Sequence, residues 1–224
     1  MRSWFIGALY ALLLPVRLAG QAVEPPGRFE VAAGGLWAAP VSMDAADATE
    51  TRPDGTSFRL FSSESSLASA IGLEGRIGVR VGRGLQLEGS ASHATPTRRT
   101  RIRFDAEGIP DITLEETVNR WTIEGALVAS LLRWRFGTRS VPFLSVGAGY
   151  LRELHEGAAL VETGLIYRGG GGVNILLTQR TGERRLKSAG VRVGARAEVR
   201  PGGGIFESPV RVAPIADVSV FLRY

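Results

Sequence analysis

The chain of 224 residues contains no cysteine, a single lysine and only two histidines. The missing thiols exclude a disulfide framework, thiolate chemistry and a lipoprotein acceptor. His93 and His155 stand far apart, and no pair of histidines or cysteines has the spacing of metal ligands. The positive charge, net +5, is carried by arginines scattered along the chain with Lys187 alone among them. A high pI without a basic block does not imply nucleic-acid binding. Beyond the first residues no apolar run approaches the roughly 20 residues that a membrane helix needs. If this chain crosses a bilayer, it must do so with strands closed into a barrel.

The amino terminus reads as a cleaved secretory signal over residues 1–22. Met1-Arg2-Ser3 precedes an apolar run from Trp4 to Val16, and Ala19-Gly20-Gln21-Ala22 supplies small residues where a signal peptidase cuts. Its removal takes away Arg2 and Arg17 and no acid, which leaves 25 basic against 22 acidic side chains, a net +3 over residues 23–224. That length suits one domain.

What the chain has is alternation. In residues 189–200, AGVRVGARAEVR, the odd positions are all Ala or Val and the even ones are Gly, Arg or Glu, a period of two that only a strand keeps. Seven further segments read the same way, starting near residues 28, 67, 85, 120, 142, 163 and 213. Their connections alternate in length. Gly82-Arg83-Gly84 and the turn around Gly137 are short, whereas 39–63 reads as a long polar surface loop and 94–119 as a second long connection. Within the latter, 97–104 faces 111–118 as a hairpin prolonging two strands. Trp37, Trp121, Tyr150 and Tyr167 fall near the long-loop ends, and Phe29, Trp134 and Tyr224 near the short-turn ends, two levels of the kind a bilayer sorts.

These features predict an all-β protein: an eight-stranded antiparallel up-and-down transmembrane β-barrel, apolar outside and polar inside. A soluble periplasmic sandwich or lipocalin-like barrel is the competing reading. Over residues 27–224, on this pattern and the terminal VSVFLRY, the chain resembles the small outer-membrane proteins of the OmpA and OmpX type. The resemblance implies residence in the outer membrane among lipid and lipopolysaccharide. It also implies that Val218, Val220, Leu222 and Tyr224 form the carboxy-terminal strand signal read by the outer-membrane insertion machinery. A monomer is expected.

The lumen of so narrow a barrel is filled by side chains. The inward faces place Glu74, Glu88, Glu124, Glu198 and Asp217 with Arg76, Arg168, Arg192 and Arg196, joined by Glu30, Arg80 and Arg223. Enclosed charges need opposite partners, which predicts a structural ion-pair network that plugs the barrel. The alternative is a narrow channel or uptake route for small or apolar solutes, a porin-like role. A third reading, a lipid A-modifying enzyme, requires a nucleophile beside a base. Ser92 and His93 point to opposite faces of one strand, and the His-x-Ser-Asn run of the deacylases is missing, so no catalytic residue is assigned. No cofactor is expected: Gly169–Gly172 lacks the Lys-Ser/Thr of a phosphate loop and sits inside a strand, where small residues serve bending or close approach. Asp44, Asp47, Glu50 and Asp54 lack the order of an EF-hand. Arg98, Arg99, Arg101 and Arg103 either meet lipopolysaccharide phosphates or face Glu115 and Glu116 across the hairpin.

Overall fold

In a computed structural model, the described residues are 27–103, 110–134, 136–137, 139–155, 161–179, 185–201 and 210–224. The predicted leader and the tips of several connections, residues 104–109 and 202–209 among them, lie outside them. Eleven strands follow in chain order: β1 (Phe29–Ala38), β2 (Val41–Thr51), β3 (Ser57–Leu67), β4 (Ala70–Gly82), β5 (Leu85–Ala94), β6 (Thr97–Arg103), β7 (Ile112–Ser130), β8 (Ser140–His155), β9 (Val161–Gln179), β10 (Ser188–Arg200) and β11 (Arg211–Arg223). A 3-10 turn, Leu132–Trp134, precedes β8.

Eight of these strands close a ring. β1 pairs with β4, β4 with β5, β5 with β7, and β7, β8, β9, β10 and β11 follow in order, all antiparallel. The circle is sealed by β1 against β11, with Glu30 opposite Arg223 and Ala38 opposite Ile215. Closure leaves no free edge within the ring. The predicted eight-stranded barrel is therefore the fold.

The remaining three strands form a second tier. β2, β3, β6 and the first half of β7 make a four-stranded sheet that continues the walls of the ring beyond Ala38, Ala70, Ala94 and Val118. The 97–103 and 112–117 hairpin lies where the alternation put it. Residues 39–63 differ from expectation: they hold a strand pair, β2 and β3, turned at Arg52–Thr56, where Gly55 takes φ 86°. Register shifts between Ser42 and Ala45 and between Ala48 and Thr49 interrupt the period of two, which is why this segment reads as loop.

The face assignment follows the pleat. Along β4, Ile71, Leu73, Ile77 and Val79 are exposed while Glu74 and Arg76 are buried. On β11, Val218 and Val220 are exposed and Asp217, Ser219 and Phe221 are buried. Apolar residues also face inward, in two clusters. Leu36, Ala38, Ala70, Ala94 and Ile215 cluster toward the second tier, and Ala32, Leu176 and Phe221 toward Tyr224.

Candidate functional site: a charged lumen

A barrel with greasy side chains outside and ionised ones inside inverts the soluble pattern, in which a large contiguous apolar exterior does not occur. Trp37, Trp121, Tyr150 and Tyr167 are exposed at one level of the wall, and Phe29, Trp134, Phe136 and Tyr224 at the other. Between them lie outward Ile, Leu, Val, Ala and Gly. Such a surface is stable against hydrocarbon, so the ring strands span a membrane.

Inside, the strands alternate so that each contributes its charges at staggered heights. Toward Tyr224, Glu30 accepts from Arg223 at 2.6 Å and from Arg192 at 3.2 Å. Arg192 also donates to Glu88 at 2.6 Å and to Asn174 at 3.0 Å, and its guanidinium lies over the Phe143 ring at 4.8 Å. At mid-height Arg76 bridges Glu74 and Asp217, the latter at 2.6 Å. Arg196 donates to both oxygens of Glu74 at 2.9 Å and lies 3.3 Å from Asp217. Toward the second tier Arg168 donates to Glu124 at 2.7 Å, and by two nitrogens to Glu198 at 3.0 and 2.7 Å. Glu198 also receives Arg120, and Arg200 at 3.1 Å; Arg200 reaches Glu153 at 2.8 Å.

The groups join into one web because several of them belong to two clusters. Arg76 lies 3.8 Å from Glu88, and Arg196 3.8 Å from Glu124. Seven arginines (Arg76, Arg120, Arg168, Arg192, Arg196, Arg200 and Arg223) meet seven carboxylates (Glu30, Glu74, Glu88, Glu124, Glu153, Glu198 and Asp217). The lumen is thus plugged by paired charge, and among these fourteen groups the two signs balance. Single charges in such a space would be expensive; the pairing and the added hydrogen bonds offset desolvation. Arginine suits this role because its planar fork serves two carboxylates at once and keeps its charge.

Of the residues placed inward from the sequence, Glu30, Glu74, Arg76, Glu88, Glu124, Arg168, Arg192, Arg196, Glu198, Asp217 and Arg223 make the contacts just described, while Arg80 is half-buried on the same face of β4. Arg120, Glu153 and Arg200 were not singled out although they hold the upper end of the web. Arg120 and Arg200 carry the right parity in their strands, and that was the available signal. Glu153 follows Gly147 and Gly149 on the inward face of β8, where no charge precedes it to mark the face. Above Arg120 and Arg168 a cavity of about 20 Å3, lined by Leu36, Ala38, Ala94 and Ile215 among others, holds room for roughly one water.

The remaining candidates disperse. Ser92 is buried in the lumen while His93 faces outward against Trp121, ring centroids 4.2 Å apart, so the two do not form a nucleophile and base. His155 is buried with Nδ1 3.2 Å from Glu116 and Nε2 3.9 Å from Glu162. Among the described residues no group of three His, Asp or Glu is arranged for a metal. Arg99 pairs with Glu115 at 2.9 Å across the β6–β7 hairpin. Gly170 and Gly172 lie on the inward parity of β9, where a Cβ would run into the Ala195 and Val193 carbonyls of β10. The glycine run therefore permits close approach of two strands.

No protein-family model and no curated protein matches the sequence. Among solved structures the chain is similar to the crystal structure of Neisserial surface protein A (NspA), with a TM-score of 0.54 and 12% identity, covering 88% of this chain and 97% of that one. It is also similar to the outer membrane protein OprG from Pseudomonas aeruginosa, with a TM-score of 0.48 and 12% identity, covering 90% and 97%. What the likeness to NspA carries is the fold alone, and it does not single out the OmpA and OmpX type.

Proposed function

We propose that this chain is a non-enzymatic outer-membrane barrel with a structural or surface-interaction role, in which the ring anchors the second-tier sheet in the membrane. It resides in the outer membrane, the bilayer in which bacterial proteins cross as closed barrels of this build. The observation that carries the reading is the web of paired arginines and carboxylates filling the lumen. With the interior filled, whatever contacts the protein makes belong to its two outer surfaces.

Several finer assignments belong to the same proposal. Residues 1–22 are removed as a secretory signal and residues 23–224 form the mature domain. The Tyr224 end of the ring faces the periplasm and the second tier faces outward, which follows from short turns at one end and long hairpins at the other. Val218, Val220 and Leu222, with Tyr224, serve as the strand signal for the insertion machinery, and the barrel is a monomer among lipid and lipopolysaccharide. A kinship with the OmpA and OmpX type rests on the alternation and the terminal VSVFLRY.

Planar-bilayer recording tests the central reading. The purified, refolded chain is expected to give no steady conductance; a stable ohmic step for each inserted molecule would replace the plugged barrel with a channel.

A further inference from the structure

Where the eight strands close on one another, the outward face carries apolar, small, hydroxyl or carboxamide side chains with two exceptions among the described residues. Arg152 of β8 is the one formally charged residue at an outward position, flanked along its strand by buried Leu151 and Glu153, and His93 of β5 is the one imidazole. They are not scattered. His93 stands opposite Trp121 in the β5–β7 register, and Trp121 stands opposite Arg152 in the β7–β8 register. Three adjacent strands therefore present an imidazole, an indole and a guanidinium side by side, with the His93 ring tilted 34° against the indole, centroids 4.2 Å apart. Arg152 is one outward step beyond Tyr150, which shares its aromatic level with Trp121. The row thus lies at the edge of the apolar band nearer the second tier.

Every arginine of the lumen web has a carboxylate, but Arg152, which is exposed, has none among the described residues. An arginine on the lipid face costs about 2–4 kcal/mol at the bilayer midplane and about 0–1 kcal/mol near the interface. Its position at the aromatic level places it where headgroup phosphates lie, and a guanidinium fits a phosphate bidentately. The indole and imidazole N–H groups beside it add donors at the same level, and the Trp121 face offers contact to the first methylenes of an acyl chain.

We propose that Arg152, Trp121 and His93 form a surface site for a phosphate of an outer-leaflet glycolipid, the phosphorylated disaccharide of lipid A. The choice of lipid A over a phospholipid rests on the orientation given under Proposed function, in which the second tier points away from the cell and this rim meets the outer leaflet. The site lies on the wall of the barrel and is separate from the plugged lumen.

Native mass spectrometry of the full mature chain, refolded in detergent, tests the site with diphosphoryl lipid A, its dephosphorylated form and phosphatidylglycerol as probes. Diphosphoryl lipid A is expected to bind wild type more tightly than either other probe. Arg152→Gln is expected to weaken it on the order of tenfold, the loss of one charge-assisted contact, with Arg152→Lys in between. Equal affinity in Arg152→Gln and wild type, or indifference to the phosphates, would overturn the site; equal binding of phosphatidylglycerol would overturn lipid A as its occupant. If Arg152→Gln does not refold, Arg152→Lys and His93→Gln decide, and wild-type affinity in both counts against the proposal. Insertion into phosphatidylcholine vesicles is followed in parallel, because a wild-type chain that stays out of them defeats the membrane reading itself, whereas one that inserts but ignores lipid A defeats only the site.

Discussion

Arg168 and Glu198 stand opposite each other in the β9–β10 register, and two guanidinium nitrogens of the one meet a single carboxylate oxygen of the other at 3.0 and 2.7 Å. Glu198 is fully buried and also receives Arg120 and Arg200. Removing its charge leaves three guanidinium groups short of a partner in a closed space. Glu198→Gln should lower stability by about 3–5 kcal/mol, the cost of breaking a buried ion pair from one side. Urea titration of the barrel in lipid vesicles reads this as a lowered midpoint. An unchanged midpoint would mean that water reaches the web and screens it.

The β9 glycines divide by direction. A Cβ at Gly172 would meet the Val193 carbonyl of the neighbouring strand, whereas one at Gly169 meets nothing within 4 Å. Gly172→Val should prevent closure of the ring, visible as failure to gain the compact, protease-resistant form on refolding. Gly169→Ala should refold like wild type, since its outward position has open space.

The turn joining β2 and β3, outside the ring strands, carries a carboxylate held by its own hydrogen bonds. Asp54 Oδ1 accepts from the Thr56 hydroxyl at 2.6 Å and from the Thr56 backbone N–H at 2.9 Å. These bonds hold its carboxyl below the usual value of 3.8, the side-chain bond contributing most. Because the folded value is the lower one, the turn's contribution is complete above the ordinary Asp range and fades as pH falls through the depressed value. Thr56→Ala should move the Asp54 titration partway back up, with the backbone bond still in place. An NMR titration of the Asp54 carboxyl carbon checks it, and no movement would assign the depression elsewhere.

The absence of cysteine makes the chain a clean background for labelling. Gly55→Cys at the β2–β3 turn should react with a membrane-impermeant maleimide on intact cells. Arg83→Cys, in the turn between β4 and β5 at the opposite end, should react only after the outer membrane is opened. The reverse pattern would invert the proposed orientation.

How far the sequence carried depended on which residues broke the alternation. Strands such as β10 and β4 set Arg and Glu on one parity and Val, Ile and Leu on the other, so both strand and face could be read. β2 and β3 could not, since bulges shift the parity in midstrand and neither face is apolar enough to show it. The inner apolar clusters stayed hidden for a related reason. Leu36 precedes outward Trp37, and Phe221 lies between outward Val220 and Leu222, so greasy neighbours on both faces blur the period. Glu153 was missed because Gly147 and Gly149 thin out the inward face of β8 before it. Which arginine meets which carboxylate depends on strand tilt and stagger, and those are properties of the closed ring rather than of any one strand.

The seam between β1 and β11 ties the ends of the ring together through Glu30 and Arg223. Arginine stays ionised across the physiological range, so an unsealed cylinder cannot hide Arg223 by shedding a proton. Until the final ribbon docks beside the first, those two ions must remain bathed in water. A polypeptide shortened by its last few residues would arrive with Glu30 robbed of that counterion, and would stall as an open, hydrated sheet instead of zipping shut. Closure of the ring should therefore depend on the carboxy-terminal ribbon, which brings Arg223 to the seam beside Glu30.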